Sequence, residues 1–332
     1  MPAAPDRDDP LEAALAAIVA NAGEHWDRVQ GATPEVIYHY TDIAGLIGIT
    51  SSGALWATNL RFMNDASELT HSYGLMLRVL ADARAQGGAP AQVELMDEIE
   101  RAIRVQWAGY PDFYAVSFSA NGDLLSQWRG YGSLGGGYAI GFDTRRLACP
   151  PSPHPQPARF LNRVIYDPAV QLGVLENIAT AMLGLFAAAD SSGEETTAAR
   201  ARVFSTLGEV AGFAFNFKDP AWSEEQEWRG VYVLPEGQLE GVRFRPAGGV
   251  AVPFVSLRMG ADDDGRLPIR EVVVGPTLNA EMAMKCSSSH SRATATRMSR
   301  SSCPRFPCGR DAPWGCVASA STTRSPWLPR QP

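Results

Sequence analysis

The chain has 332 residues, is 45% hydrophobic and 20% charged, and carries a formal net charge of −7. That is the composition of an ordinary folded protein, and the acidic balance gives no general electrostatic pull toward nucleic acid. No run of about 18 apolar residues occurs, and the opening MPAAPDRDDP is acidic where a secretory leader is basic, so the expectation is no membrane span and a cytoplasmic location.

In chain order, residues 1–9 read as loose, and Pro10 to Ala20 as a helix with Leu11, Leu15 and Ile18 on one face. Pro34 precedes a strand, Glu35 to Tyr40. Thr41 or Asp42 can cap the next helix, which carries Ile43, Leu46 and Ile47 and stops at Gly53. Leu55 to Thr58 reads as a short strand, Asp65 to Gln86 as a helix, and Ala91 to Trp107 as another. Strands Tyr114–Ser119 and Tyr138–Asp143 follow, joined through Gly135, Gly136 and Gly137, which read as a hairpin turn rather than a phosphate loop because no helix follows them. Pro150 to Pro157 is a stiff loop, Arg163 to Tyr166 a short strand, and 169–189 and 197–216 are helical. Strands Trp228–Leu234, Val242–Arg245, Val250–Leu257 and Ile269–Val274 complete the body, with a turn at Asp262–Gly265. Helices and strands mix without strict alternation, so the fold class expected is α+β, with mixed, mostly antiparallel twisted sheets flanked by helices. The organisation expected is a loose segment and helix over 1–30, a single α+β domain over 31–285, and a separate tail over 286–332.

The tail is written in a different language. Residues 286–332 hold no Ile, Lys, Glu or Tyr, and their seven Arg against one acidic residue leave about −13 on the body. No apolar period runs through them, so they read as disordered. Their Cys, Ser and Trp content also reads as a frameshift near Lys285. Codons for these residues mostly begin with T, and moving that T to the middle position yields apolar residues in a helix-then-strand pattern. Cys286, Cys303, Cys308 and Cys316, with His290, fit no common zinc spacing, so no metal is expected.

Chemistry concentrates in four places. His39 ends the first strand, where an imidazole can donate to a ligand from one nitrogen or be satisfied by local backbone. Asn64 and Asp65 open a helix, Asp65 as a cap completed by Glu68, with Asn64 free for a ligand. Between Phe113 and Asp143, Ser117, Ser119, Ser126, Gln127, Trp128, Arg129 and Tyr131 supply more polar and aromatic groups than a core needs. Trp128 or Tyr131 can stack a planar ring and Arg129 can take a phosphate. The bland alternative is a buried Trp with an Arg laid across it. Lastly, Glu225 and Glu227 precede a strand. They can hold a ribose and stabilise a developing cation, or simply form an acidic run paired with Arg229. Glu271 is a weaker carboxylate candidate.

Together the ordered blocks His39–Thr41, Ser52–Thr58, Asn64–Glu68, Phe118–Tyr131, Glu225–Arg229 and Glu271–Pro276 resemble a bacterial family known as domain of unknown function 2971, over roughly residues 36–285. More distantly the layout resembles the ADP-ribosyltransferase-like superfamily. That resemblance implies NAD as substrate, with Glu227 and His39 catalytic. Tyr40, Thr41, Asn64, Asp65, Ser117, Ser119, Gln127, Trp128, Arg129, Tyr131 and Glu225 would contact the nucleotide. It also implies transfer of ADP-ribose to a macromolecular acceptor or breakdown of NAD, an activity such enzymes often bring to conflict between bacteria and phages. The alternative is a non-catalytic module that senses a nucleotide or a nucleic-acid end. Either way the expectation is that His39, Ser119, Trp128 and Glu227 line one cleft.

Overall fold

In the computed structural model of the protein the described residues are 10–63, 67–109, 112–132, 136–148, 160–191, 212–234, 240–247, 249–260 and 267–277, with 281 and 285. The expectations for Asn64 and Asp65, the loop at 150–157, the first part of the 197–216 helix, the turn at 262–265 and the tail from 286 lie outside the described residues. All described residues belong to the compact unit Met1–Ser299. Six helices and nine strands run through them: α1 (Pro10–Gln30), β1 (Val36–Thr41), α2 (Ile43–Ser52), β2 (Leu55–Asn59), α3 (Ser67–Ala85), α4 (Pro90–Gly109), β3 (Asp112–Ser119), α5 (Leu125–Tyr131), β4 (Tyr138–Asp143), β5 (Leu161–Arg163), α6 (Pro168–Ser191), β6 (Glu227–Leu234), β7 (Val242–Ala247), β8 (Val250–Leu257) and β9 (Ile269–Val274). The fold is α+β with an antiparallel sheet and flanking helices.

Strand β3 is the trunk of the sheet. One edge pairs along its whole length with β6, from Asp112↔Leu234 to Ser119↔Glu227, and β6 pairs on with β5. The other edge divides. Its first half pairs with β2 through Thr58↔Ala115 and Asn59↔Tyr114, and its last residue pairs with β1 through Tyr38↔Ser119. One arm then runs β2–β8–β7 and the other β1–β4–β9. The two arms touch again beyond their strands, where Leu147 bridges Gly260 and the Ala148 N–H donates to the Met259 carbonyl at 3.1 Å. A core of Ile37, Leu55, Tyr114, Val116, Ile140, Phe142, Trp228 and Leu257 fills the space between arms and trunk, and α2 adds Leu46 and Ile49 to it.

The helices build a second core. Trp26 of α1, Leu95 and Met96 of α4, Met182 and Phe186 of α6 and Phe217 are buried together. Helix α1 runs ten residues past the expected stop at Ala20, because Trp26 packs on Phe213 at 4.8 Å and its Nε1–H donates to Asn162 Oδ1 at 2.8 Å. Asp42, not Thr41, caps α2, accepting from the Gly45 N–H at 2.8 Å. The glycine turn is not a hairpin: β1 lies between β3 and β4, and Gly136 (φ +118°) is pressed against Thr277 instead. The expected strand at Arg163–Tyr166 is displaced to Leu161–Arg163, with Ile165 making a lone parallel bridge to Phe217. At the far end of the 197–216 stretch, Gly212–Asn216 is a 3₁₀ turn.

Candidate functional site

Where β3 ends and β6 begins, a 3₁₀ turn, Pro220–Glu225, packs near α5 and leaves a cavity of about 420 Å³. That volume lies within the range of small-molecule sites. Ser117, Ser126, Gln127, Tyr131, Lys218, Trp222, Glu225 and Glu227 are among its lining residues.

Its charged centre is built from β6 and the segment before it. Glu227 is 4% exposed. Its Oε1 accepts from Arg229 Nε at 2.9 Å and lies 2.8 Å from Arg229 Nη2, while its Oε2 accepts from Lys218 Nζ at 3.3 Å. Lys218 Nζ also reaches Glu225 Oε2 at 2.6 Å and sits 4.8 Å above the Trp222 ring. Arg229 is itself tied to the Phe215 carbonyl at 2.8 Å. Burial pushes the Glu227 carboxyl up, but the charges of Arg229 and Lys218 outweigh it and hold the group below its usual range. An ionised carboxylate in a dry site accepts hydrogen bonds and stabilises positive charge. It is a poor proton acceptor.

Local backbone brings the acids together. Glu225 and Glu227 do not share an extended run. Glu225 ends the 3₁₀ turn, and Gln226 stands at φ +47°, a left-handed conformation uncommon outside glycine. That kink turns both carboxylates onto Lys218. The turn is held by the Ala120 N–H on the Gln226 carbonyl at 3.0 Å and by the Glu227 N–H on Tyr166 Oη at 3.0 Å. Burial and the neighbouring Glu227 push the Tyr166 hydroxyl up, so it stays protonated. Lys218 is placed by Gln171 of α6, fully buried, whose Nε2 donates to the Lys218 carbonyl at 2.9 Å.

Five of the expected site residues meet at this cavity: Ser117, Gln127, Tyr131, Glu225 and Glu227. The others do not. Register pairs Tyr38 with Ser119 and Ser119 with Glu227, so those three share a face of the sheet. His39 therefore lies on the opposite face, with its ring edge-on to Phe118 at 6.0 Å. His39 Nδ1 is 2.9 Å from the Ser117 carbonyl. A carbonyl only accepts, so Nδ1 carries the proton, and the imidazole fills the fork between β1 and β3. Burial pushes its pKa down and keeps it neutral. The expectation that the imidazole and the E-x-E carboxylates embrace one ligand is corrected by this parity.

Ser119 is a brace, donating to the Glu225 carbonyl at 2.8 Å and accepting from the Asn121 N–H at 3.1 Å. Tyr40 donates to the Asn121 carbonyl at 2.7 Å and accepts from the Leu124 N–H at 3.0 Å, and burial pushes its hydroxyl up to about 12. Trp128 is 7% exposed and packs edge-on against Tyr40 at 4.6 Å, with its Nε1–H on Asp123 Oδ1 at 2.9 Å. The core reading of Trp128 is the correct one. Arg129 is exposed and is not among the residues that line the cavity. Thr41 ends β1 beside Gly45. Glu271 accepts from Tyr38 Oη at 2.6 Å.

Lys218 and Tyr166 escaped the sequence reading. Their signal was slight: a lysine placed between Phe217 and Asp219-Pro220, directly after the apolar run from Gly212. The buried hydroxyl Ser126 Oγ in the wall has no hydrogen-bond partner, while the Ser117 hydroxyl supports the ionised form of Glu227. Among the described residues no cluster of His, Cys, Asp and Glu is suited to a metal ion, and no helix is long and apolar enough to cross a membrane.

Residues 127–230 match a protein-family model described as "Protein of unknown function (DUF2971)". The family resemblance read from the motifs holds over that segment, which carries most of the cavity's lining, from Gln127 to Glu227. No curated protein and no solved structure matches the chain.

Proposed function

We propose that the protein is a nucleotide-binding module whose cavity receives the ribose and base of an NAD-class ligand. The observation that carries this reading is the buried, partnerless hydroxyl of Ser126 on the wall that also holds Ser117 and the acid pair. A buried polar group without a partner costs about 1–3 kcal/mol, a cost that a hydroxyl-rich ligand removes. Ribose hydroxyls are donors for the carboxylate oxygens of Glu225 and Glu227. Tyr131 and Trp222, 38% and 41% exposed, offer ring faces to a base.

A second reading is favoured by the charge state of Glu227. A carboxylate kept ionised by Arg229 and Lys218 suits the cation that develops at a ribose carbon when a glycosidic bond breaks. In that reading the module is an ADP-ribosyltransferase-like enzyme in which His39 takes no part, and ADP-ribose passes to a macromolecule or to water.

Calorimetric titration with NAD and with ADP-ribose, beside a nicotinamide-release assay, separates the readings. Binding without release supports the module. Release that stops in Glu227→Gln supports the enzyme. The absence of binding by both nucleotides overturns the proposal. Ser117→Ala and Ser126→Ala sharpen the test. The Ser126 hydroxyl has no protein partner to lose, so Ser126→Ala leaves the melting temperature level or raises it, while each variant weakens nucleotide binding by up to about tenfold.

A further inference from the structure

Away from this cavity, one face of the β2–β8–β7 arm exposes an aromatic ring beside basic side chains. Register places Trp56 and Thr58 of β2, Phe254 of β8, and Arg243 and Arg245 of β7 on the same face. The Trp56 ring stacks on Phe254 at 4.4 Å with 30° between planes, yet remains 48% exposed. Val250, at the end of the same face, is 54% exposed. Arg243 stands across from Phe254, and Arg245 reaches Thr58 Oγ1 at 3.4 Å. Among the described residues of these three strands this face presents no acidic side chain. Two guanidinium groups and an exposed indole thus lie together on a protein whose net charge is −7.

We propose that this face binds single-stranded nucleic acid. The charge complementarity selects a polyanion, and the indole selects among polyanions. A base has a π-face that stacks on Trp56, already oriented by Phe254, while flanking phosphates meet the planar donor forks of Arg243 and Arg245. The site is independent of the cavity reading, since it shares no residue with it.

The test uses the full chain and a fluorescein-labelled oligothymidylate followed by anisotropy at several salt concentrations. The wild type binds, and affinity falls as salt rises. Trp56→Ala weakens binding roughly tenfold, and Trp56→Phe restores most of it. The double variant Arg243→Glu/Arg245→Glu weakens binding further and flattens the salt dependence by about two phosphate contacts. Melting curves check that each variant is folded. The arginine-rich residues 286–332 are the same in every variant, so the losses in the Trp56 and double-arginine variants, not binding by itself, report this face. Three outcomes overturn the proposal: no binding by wild type, equal binding by the double variant, or equally good competition by polyglutamate, which would make the face a site for acidic peptides.

Discussion

Arg229→Met lowers the unfolding free energy by about 3–5 kcal/mol, the range found when a buried ion pair loses one partner. Arg229 is 1% exposed and holds the Glu227 carboxylate through two nitrogens and the Phe215 carbonyl through a third. Methionine fills part of the volume, so the loss is electrostatic: Glu227 is left buried with only Lys218 nearby. The penalty depends on pH in a defined direction. The folded-state pKa of Glu227 is below its unfolded value. Its contribution is therefore fully present above the unfolded value of about 4.3 and disappears as pH falls through the lower folded value. In the variant the chief lowering charge is gone, burial dominates, and Glu227 takes up a proton at higher pH. Urea titrations at neutral pH and below about pH 4 should show the gap between wild type and variant closing on the acid side. A gap that stays constant with pH would mean that Arg229 contributes packing and little charge.

Trp128→Ala should cost about 3–5 kcal/mol, the range for removing a large buried aromatic side chain. The indole packs edge-on against Tyr40 and close to the backbone of Gly275, where an added methyl group would approach a ring carbon to 2.6 Å. Trp128 does not line the cavity, but the next turn of its helix presents Tyr131 to it. The expected pattern is a large fall in the melting midpoint, with nucleotide affinity retained at temperatures where the variant remains folded. Trp128→Phe should recover more than half of the stability, because the ring contact with Tyr40 survives while the donor to Asp123 is lost. Loss of affinity in a folded Trp128→Phe protein would return the residue to the ligand site.

The strands were legible because β3, β4, β6, β8 and β9 are short runs of β-branched and aromatic residues between breakers. Their order was not, since nothing local in FYAVSFS says that one edge of this strand divides between two partners. The same gap explains His39. Its residue type and position at a strand end suggested a ligand, but the face it points to is a matter of register, and a one-residue change in pairing moves a side chain across the sheet. Trp128 misled for a related reason: Gly275, which makes room for it, lies 147 residues further along the chain. Glu225 and Glu227 were found by their spacing, although the geometry that joins them is a left-handed Gln226 rather than an extended strand. Lys218 sits in irregular backbone, where neither period of the sequence applies, and only its placement by Gln171 from α6 reveals its role.

The division of β3 into two arms that meet again at Leu147 and Gly260 makes a closed circuit of hydrogen bonds around one apolar interior. Strands β7 and β9 hang outside that circuit as edges, but the circuit β3–β2–β8–β4–β1 has no loose end from which to fray. Detaching either arm bares both the trunk's edge and the oil between the arms, so neither can melt as a private event. The sheet should accordingly behave as one foldon, with the amides of β3 the slowest to exchange with solvent.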